Sequence, residues 1–279
     1  MSRVPHNRQL GPQEDRAVTD LPSILDLLDL EQAEPDGYQT RALYDAPWGM
    51  FGGQAAAQAL YAAGLTVDKD RLPHSLHGYF VRRGDSAKPT LYRVDRDRDG
   101  RSFSARRVVA TQDGRVIFSM SASFAAPASP KQQAPDQDAE PGPDLPPVDS
   151  LPSWDNPKHP SFEFRPADPE RRLPSHFWLR CTTELPDDPL LHAAVLAYTS
   201  DISSALIQFE TEQTSTGPSL DHAVWFHRPA RMDGWIWQEL TPRTAAGGRG
   251  WYTVTIYAPD GTRLASVTQE QLFAVRHVR

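Results

Sequence analysis

The chain of 279 residues is short of several things, and each shortage excludes something. Cysteine occurs once, at Cys181, which excludes an intramolecular disulfide and a cysteine-rich metal site. With no base identifiable beside it, Cys181 reads as a core thiol and the compartment as reducing. Positive charge is in deficit: 29 Lys and Arg face 36 Asp and Glu, for a net charge of −7. That balance argues against nucleic acid or an anionic membrane as the main partner. No apolar run is long enough to span a bilayer. Met1 to Asp20 is polar, so no secretory leader is expected, and His277-Val278-Arg279 is not a peroxisomal tripeptide. The expectation is a cytoplasmic protein with a disordered tail over residues 1–20.

Proline, by contrast, is abundant, at 26 residues, and it is concentrated. Pro127, Pro130, Pro135, Pro141, Pro143, Pro146, Pro147, Pro152, Pro157 and Pro160 fall in one stretch. That density forbids a helix or central strand and favours an extended path. Residues 126–160 therefore read as a linker between two units, 21–125 and 161–279.

The first unit is organised around Gly52-Gly53-Gln54-Ala55-Ala56-Ala57-Gln58-Ala59-Leu60-Tyr61-Ala62-Ala63. Alanine is the best helix former, and two glycines at its start allow close approach of a backbone or ligand. Such a thin helix suits a curved sheet wrapped around it. Ser23 is a helix cap ahead of Ile24–Leu30. Strands are expected over Gly37–Tyr44, Leu76–Val81, Leu91–Asp95, Ser102–Thr111 and Val116–Phe124, with a hairpin at Asp113-Gly114. In the second unit, strands are expected at Phe177–Thr183, Ser219–His227, Trp235–Thr241, Arg249–Tyr257 and Leu264–Phe273. A helix is expected over His192–Ile207. A helix followed by antiparallel strands is an α+β pattern.

The two units repeat. Asp113-Gly114 matches Asp260-Gly261 at an offset of 260 − 113 = 147. The same offset sets Gln54 over Asp201 and Ala122 over Gln269. Ser75 matches Ser219 at a slightly smaller offset, 219 − 75 = 144. The second unit thus carries a carboxylate and an amide where the first has an amide and a methyl, as in a duplication of which one copy has lost its chemistry.

At this point a resemblance becomes specific. Phe51-Gly52-Gly53-Gln54, His74-Ser75-Leu76-His77-Gly78-Tyr79-Phe80, Gly84-Asp85 and Asp99-Gly100-Arg101-Ser102-Phe103 resemble the acyl-CoA thioesterase II (TesB-like) family. In the second unit, Tyr198-Thr199-Ser200-Asp201, Ser219-Leu220-Asp221-His222 and Gln269-Glu270 are similar as well. The resemblance covers roughly Leu21 to Arg276 outside the linker, and departs from the family at Arg83, where members often have proline. It implies a tandem (double) hotdog, in which two antiparallel sheets each wrap a central helix and join edge to edge. It also implies hydrolysis of a fatty acyl-CoA by a water held by Asp201, Ser219 and Gln269.

In that chemistry Asp201 is base or water acceptor, and Ser219 and Gln269 fix the water. A helix N-terminus, with Gly52 and Gly53 as the choice, donates to the oxyanion. Gly52, Gly53 and Gln54 are expected at the substrate, with Arg106 and Arg107 the leading choices among Arg101, Arg106, Arg107 and Arg249 for the CoA phosphates. Adjacent strand residues face opposite ways, so at most one of Arg106 and Arg107 is expected to face ligand. No metal or cofactor is expected; His222 and His227, flanking Trp225, read as structural. A homodimer or larger oligomer is expected. Three alternatives stand beside this reading. A hydratase with histidine five residues after the aspartate is disfavoured by Leu206. A non-catalytic acyl-CoA or acyl-carrier binding module, and a thioesterase releasing an acyl group in a specialised biosynthetic pathway, remain.

Overall fold

The computed structural model describes residues 21–127 and 137–276. The expected tail over residues 1–20 and the last three residues lie outside them.

Helix α1 (Ile24–Leu28) begins where Ser23 predicts. The Ser23 hydroxyl accepts from the Asp26 N–H, and the Asp26 carboxylate accepts from the Ser23 N–H at 3.0 Å, a reciprocal cap. Strands β1 (Leu30–Glu34) and β2 (Gly37–Thr40) lead to helix α2 (Gly52–Gly64), and then come β3 (Leu72–Phe80), β4 (Leu91–Asp99), β5 (Phe103–Gln112) and β6 (Arg115–Ala125). The β5–β6 hairpin turns on Asp113 (φ 48°) and Gly114 (φ 72°), the paired positive φ angles that match strand twist. The second unit holds β7 (Phe162–Pro166), β8 (His176–Cys181), α3 (Pro189–Thr199), β9 (Thr214–Ser219), β10 (Asp221–Phe226), β11 (Ile236–Ala246), β12 (Arg249–Tyr257) and β13 (Arg263–Val275).

All these strands lie in one sheet, in the order β1-β2-β4-β5-β6-β3-β10-β13-β12-β11-β8-β7, with β9 paired to the end of β13. The order is a palindrome: β7, β8, β11, β12, β13 and β10 repeat β1, β2, β4, β5, β6 and β3. The two copies meet at β3 and β10, where Leu76 lies opposite Val224. This is the tandem hotdog, with its two sheets fused edge to edge.

The burial pattern gives the register of the repeat. Ile117, Phe118, Met120, Ala122 and Phe124 are buried on β6; Leu264, Ala265, Val267, Gln269 and Gln271 are buried on β13, each 264 − 117 = 147 residues later. On β3 and β10 the buried positions Leu76 and Gly78 recur as His222 and Val224, a shift of 222 − 76 = 146. Two sequence expectations change as a result. The residue at the place of Ser219 is Pro73 and not Ser75. The helices start at Gly52 and Pro189, 189 − 52 = 137 apart, so Gln54 and Asp201 are not equivalent.

Helix α3 also stops earlier than expected. The Leu196 carbonyl still accepts the Ser200 N–H at 2.9 Å, but the Ala197 carbonyl accepts the Ser200 hydroxyl at 2.9 Å, where a continuing helix would bring the Asp201 N–H. A separate 3₁₀ turn, Ala205–Phe209, follows. Asp201 therefore sits on the turn after α3. Strands β1, β7 and β9 were not foreseen. Strands β1 and β7 are the two edges, where polar residues and proline suppress the strand signal.

The alanines of α2 are buried almost completely, as a helix gripped by a sheet requires. Helices α2 and α3 pack side by side and antiparallel. A Cβ on Gly64 would meet Leu190 at 2.3 Å, and one on Gly53 would meet the Tyr198 carbonyl at 2.4 Å. The described part of the proline-rich segment, 137–160, is packed and not free: Leu145, Val148 and Leu151 cover the cluster of Trp178, Trp237 and Tyr257. The Trp178 indole N–H donates to the Pro146 carbonyl at 2.9 Å.

Because the Tyr198 carbonyl is backbone and cannot swing aside, Gly53→Ala is expected to destabilise the fold by about 1–3 kcal/mol. Equilibrium urea unfolding measures this. An unchanged midpoint would mean that the helices do not need this approach.

Candidate active site

The C-terminal end of α3 meets the N-terminal end of α2, and the Asp201 carboxylate lies in the gap. A Cβ on Gly52 would stand 2.6 Å from Asp201 Oδ2, and the Gly53 N–H donates to the carboxylate. No side chain caps α2, whose N-cap is Phe51, so its first N–H groups face Asp201 and the space beside it. The α2 dipole favours the negative charge there.

Asp201 Oδ1 accepts from Gln269 Nε2 at 2.8 Å. The same amide nitrogen donates to Ser219 Oγ, to which Gln271 Nε2 also donates at 3.2 Å. With its lone pairs occupied, the Ser219 hydroxyl proton is left to donate outward. Gln269 is buried while Asp201 and Ser219 keep partial exposure. The open edge is thus a carboxylate and a hydroxyl, held from behind by an amide.

The orientation of that amide follows from a residue read earlier as structural. His222, fully buried on β10, places Nδ1 2.8 Å from Gln269 Oε1 and Nε2 2.8 Å from Ser200 Oγ. The amide must turn its N–H₂ to the Asp201 carboxylate, so Oε1 accepts and His222 Nδ1 carries a proton. Ser200, Ser204, His222 and Gln271 all support the site. A buried histidine and a buried glutamine on adjacent strands were the available signal, but their pairing requires the strand register.

Burial raises the Asp201 carboxyl above its ordinary value of 3.8, partly offset by His222, by the Gln269 hydrogen bond and by the Gly53 N–H. The folded protein therefore holds this proton more tightly than the unfolded chain.

The two-fold-related position lacks these groups. Pro73 stands for Ser219 and Ala122 for Gln269. Past the end of α2 comes Thr66, whose hydroxyl and carbonyl accept from Arg106 at 2.8 and 3.1 Å. The start of α3 is closed by Pro189, which has no N–H, and by the Asp188 carboxylate, which accepts from the Leu190 N–H at 2.9 Å. The carboxylate, hydroxyl and amide come together at only one of the two positions.

Comparison with known proteins agrees with this architecture. Residues 44–125 match the acyl-CoA thioesterase N-terminal domain and residues 127–273 the acyl-CoA thioesterase C-terminal domain. Human acyl-coenzyme A thioesterase 8 is 33% identical over 92% of this chain and 91% of its own length. The chain belongs to the acyl-CoA thioesterase II (TesB-like) family. Acyl-CoA thioesterase 2 of Haemophilus influenzae is 35% identical over 80% of this chain and 87% of its own. The crystal structure of acyl-CoA thioesterase II TesB2 from Mycobacterium marinum superposes with a TM-score of 0.77 at 38% identity, covering 91% of this chain and 99% of that one.

Three residues expected at the substrate are not brought there. Gln54 is buried, with Oε1 accepting from the Tyr44 hydroxyl at 2.6 Å and Nε2 3.5 Å from Gln58. Arg106 is also buried, its donors taken by Thr66, Asp99 and the Arg98 carbonyl. It stands past the far end of α2, about 20 Å from Gly52 at 1.5 Å per helical residue. Arg107 is exposed on the outer face and pairs with Asp95 at 3.1 Å and Asp97 at 3.4 Å. Of the residues expected at the substrate, Gly52 and Gly53 alone adjoin Asp201. Among the described residues no His, Cys, Asp and Glu cluster could hold a metal, and no helix is long and apolar enough to cross a membrane.

A carboxyl whose folded pKa is raised contributes stability that is complete below its unfolded pKa and is lost as pH rises through the folded pKa. Asp201→Asn is therefore expected to raise the thermal midpoint at neutral pH, with the gain shrinking below about pH 4. A gain that did not vary with pH would contradict the raised pKa.

Proposed function

We propose that the protein hydrolyses acyl-CoA thioesters by direct attack of a water held on Asp201 and Ser219. The observation that supports this most is the joint hold of Gln269 Nε2 on Asp201 and Ser219, which sets a base and a hydroxyl donor side by side at the uncapped start of α2. Asp201 accepts the proton of the water. Burial raises its pKa, which makes the carboxylate a stronger base than a solvated one. The Ser219 hydroxyl orients the water, and Gln269 fixes both partners. The thioester carbonyl turns toward the N–H groups of α2, whose dipole stabilises the developing oxyanion. The thiolate leaves and takes the proton that Asp201 accepted, so the carboxylic acid and the CoA thiol are released and the carboxylate is restored. No covalent acyl-enzyme is required.

Ser219 as a nucleophile is a poorer reading. Its oxygen already accepts from two glutamine amides, and its described hydrogen-bond partners include no base. The domains fall at 21–125 and 161–279, with the segment between them serving as a cover for the second sheet as well as a connection. A homodimer or larger assembly and a cytoplasmic site remain part of the proposal.

Thiol release from a panel of acyl-CoAs, short to long, tests the reading. Asp201→Asn is expected to lower turnover about 10²- to 10⁴-fold with folding intact. Near-wild-type turnover would remove Asp201 from the chemistry. His222→Ala, which frees the Gln269 amide to rotate, is expected to lower kcat about 10- to 100-fold with KM little changed. His222→Asn, which restores an N–H donor, should recover part of the loss. If kcat stayed at the wild-type level in His222→Ala, the amide would not depend on His222.

A further inference from the structure

The chain carries a net charge of −7, yet one cleft is cationic. It has a volume of about 340 Å³ and is lined by Arg82, Arg83, Lys88 and Arg115, with Asp85 and Asp113 the acidic members. Lys88 pairs with Asp113 at 2.5 Å. The three arginines pair with no carboxylate among the described residues. Arg82 donates through Nη1 to the Val116 carbonyl at 2.7 Å, and Arg83 donates through Nη2 to the Pro47 carbonyl at 2.8 Å. Each guanidinium has five N–H donors, so most remain open, and all three residues are exposed.

The chain leads from the candidate active site to this cleft within a few residues. Phe80, at the end of β3, lies 3.0 Å from where a Gly52 Cβ would be, and its N–H donates to the Leu220 carbonyl at 2.9 Å, next to Ser219. Arg82 and Arg83 follow two and three residues later. The loop that leads into α2 is fastened to the same segment, the Met50 N–H donating to the Gly84 carbonyl at 3.0 Å. A ligand with its reacting end at Asp201 and an anionic end some way off would pass along this loop.

We propose that this cleft, and not Arg106 or Arg107, holds the phosphate groups of the coenzyme A half of the substrate. The proposal rests on the thioesterase reading for the identity of the ligand. Three guanidinium groups without a carboxylate partner among the described residues match a diphosphate and a ribose phosphate in charge, and planar N–H forks bind phosphate oxygens in pairs. Exposed guanidiniums form such contacts without the burial cost that a site at Arg106 would carry.

Arg115→Glu is the clean test, because the exposed Arg115 side chain makes no hydrogen bond or ion pair among the described residues. Kinetics are compared for one acyl chain carried as the CoA ester and as the pantetheine ester, which lacks the nucleotide. The expected result is a KM for the CoA ester raised about tenfold, equivalent to about 1.4 kcal/mol, with kcat and the pantetheine KM unchanged. Adenosine 3′,5′-bisphosphate should inhibit the wild type competitively and the variant about tenfold more weakly. Arg82→Ala with Arg115→Ala should show the same split. If both esters respond alike, or neither responds, the phosphates lie elsewhere and the thioesterase reading is untouched. Should no thioester be hydrolysed while the bisphosphate binds the wild type and not Arg115→Glu, the cleft stands and the thioesterase reading falls. No bisphosphate binding to the wild type would overturn the cleft.

Discussion

The structure depends on how closely the start of α2 approaches the end of α3. Gly53 permits it, since a Cβ there would stand 2.4 Å from the Tyr198 carbonyl. Gly52 leaves room for the Asp201 carboxylate in the same gap. One helix end presents N–H groups that no capping side chain takes, and the other ends early where the Ser200 hydroxyl turns back to the Ala197 carbonyl. The carboxylate is thus held where burial raises its pKa and where a helix N-terminus, a glutamine amide and a glycine N–H keep its charge tolerable.

Around this gap the fold is nearly symmetric, and the groups of the proposed chemistry lie where the two copies differ. The palindromic strand order gives two equivalent positions. In one, Ser219 and Gln269 face an uncapped helix. In the other, Pro73 and Ala122 face a helix start closed by Asp188 and Pro189, and Arg106 fills the space at the end of α2. Neither the proline ring at Pro73 nor the methyl of Ala122 can hold a water by hydrogen bonds, so on the proposed mechanism that copy is inactive by residue type alone. The freed copy is left to supply structure: Arg106 joins β5 to the α2 end through Thr66.

Much of this was legible in the sequence because its signals are local. The Ser23 cap, the alanine-rich helix and the Asp113-Gly114 hairpin each depend on a few neighbouring residues. The repeat was also visible, and it set Ala122 over Gln269 as the register does. It failed at the helices, where a loop of different length changes the offset from 147 to 137 and separates Gln54 from Asp201. Roles set by three-dimensional partners were not legible. Arg106 and Arg107 looked like phosphate ligands on charge alone, but one is buried against Thr66 and Asp99 and the other pairs with Asp95 and Asp97. His222 read as structural because the glutamine and serine at its two nitrogens are 47 and 22 residues away in sequence. Nothing in residue order announces such a pairing.

The central claim is that water held on Asp201 attacks the thioester directly. A single turnover with enzyme in excess over acyl-CoA, run in ¹⁸O-water, tests it most directly. Direct attack predicts ¹⁸O in the carboxylic acid formed in that first turnover, with no label and no acyl adduct on the protein by mass spectrometry. Label on the peptide that carries Asp201, or an acyl group on Ser219, would contradict it and would make one of these side chains the nucleophile.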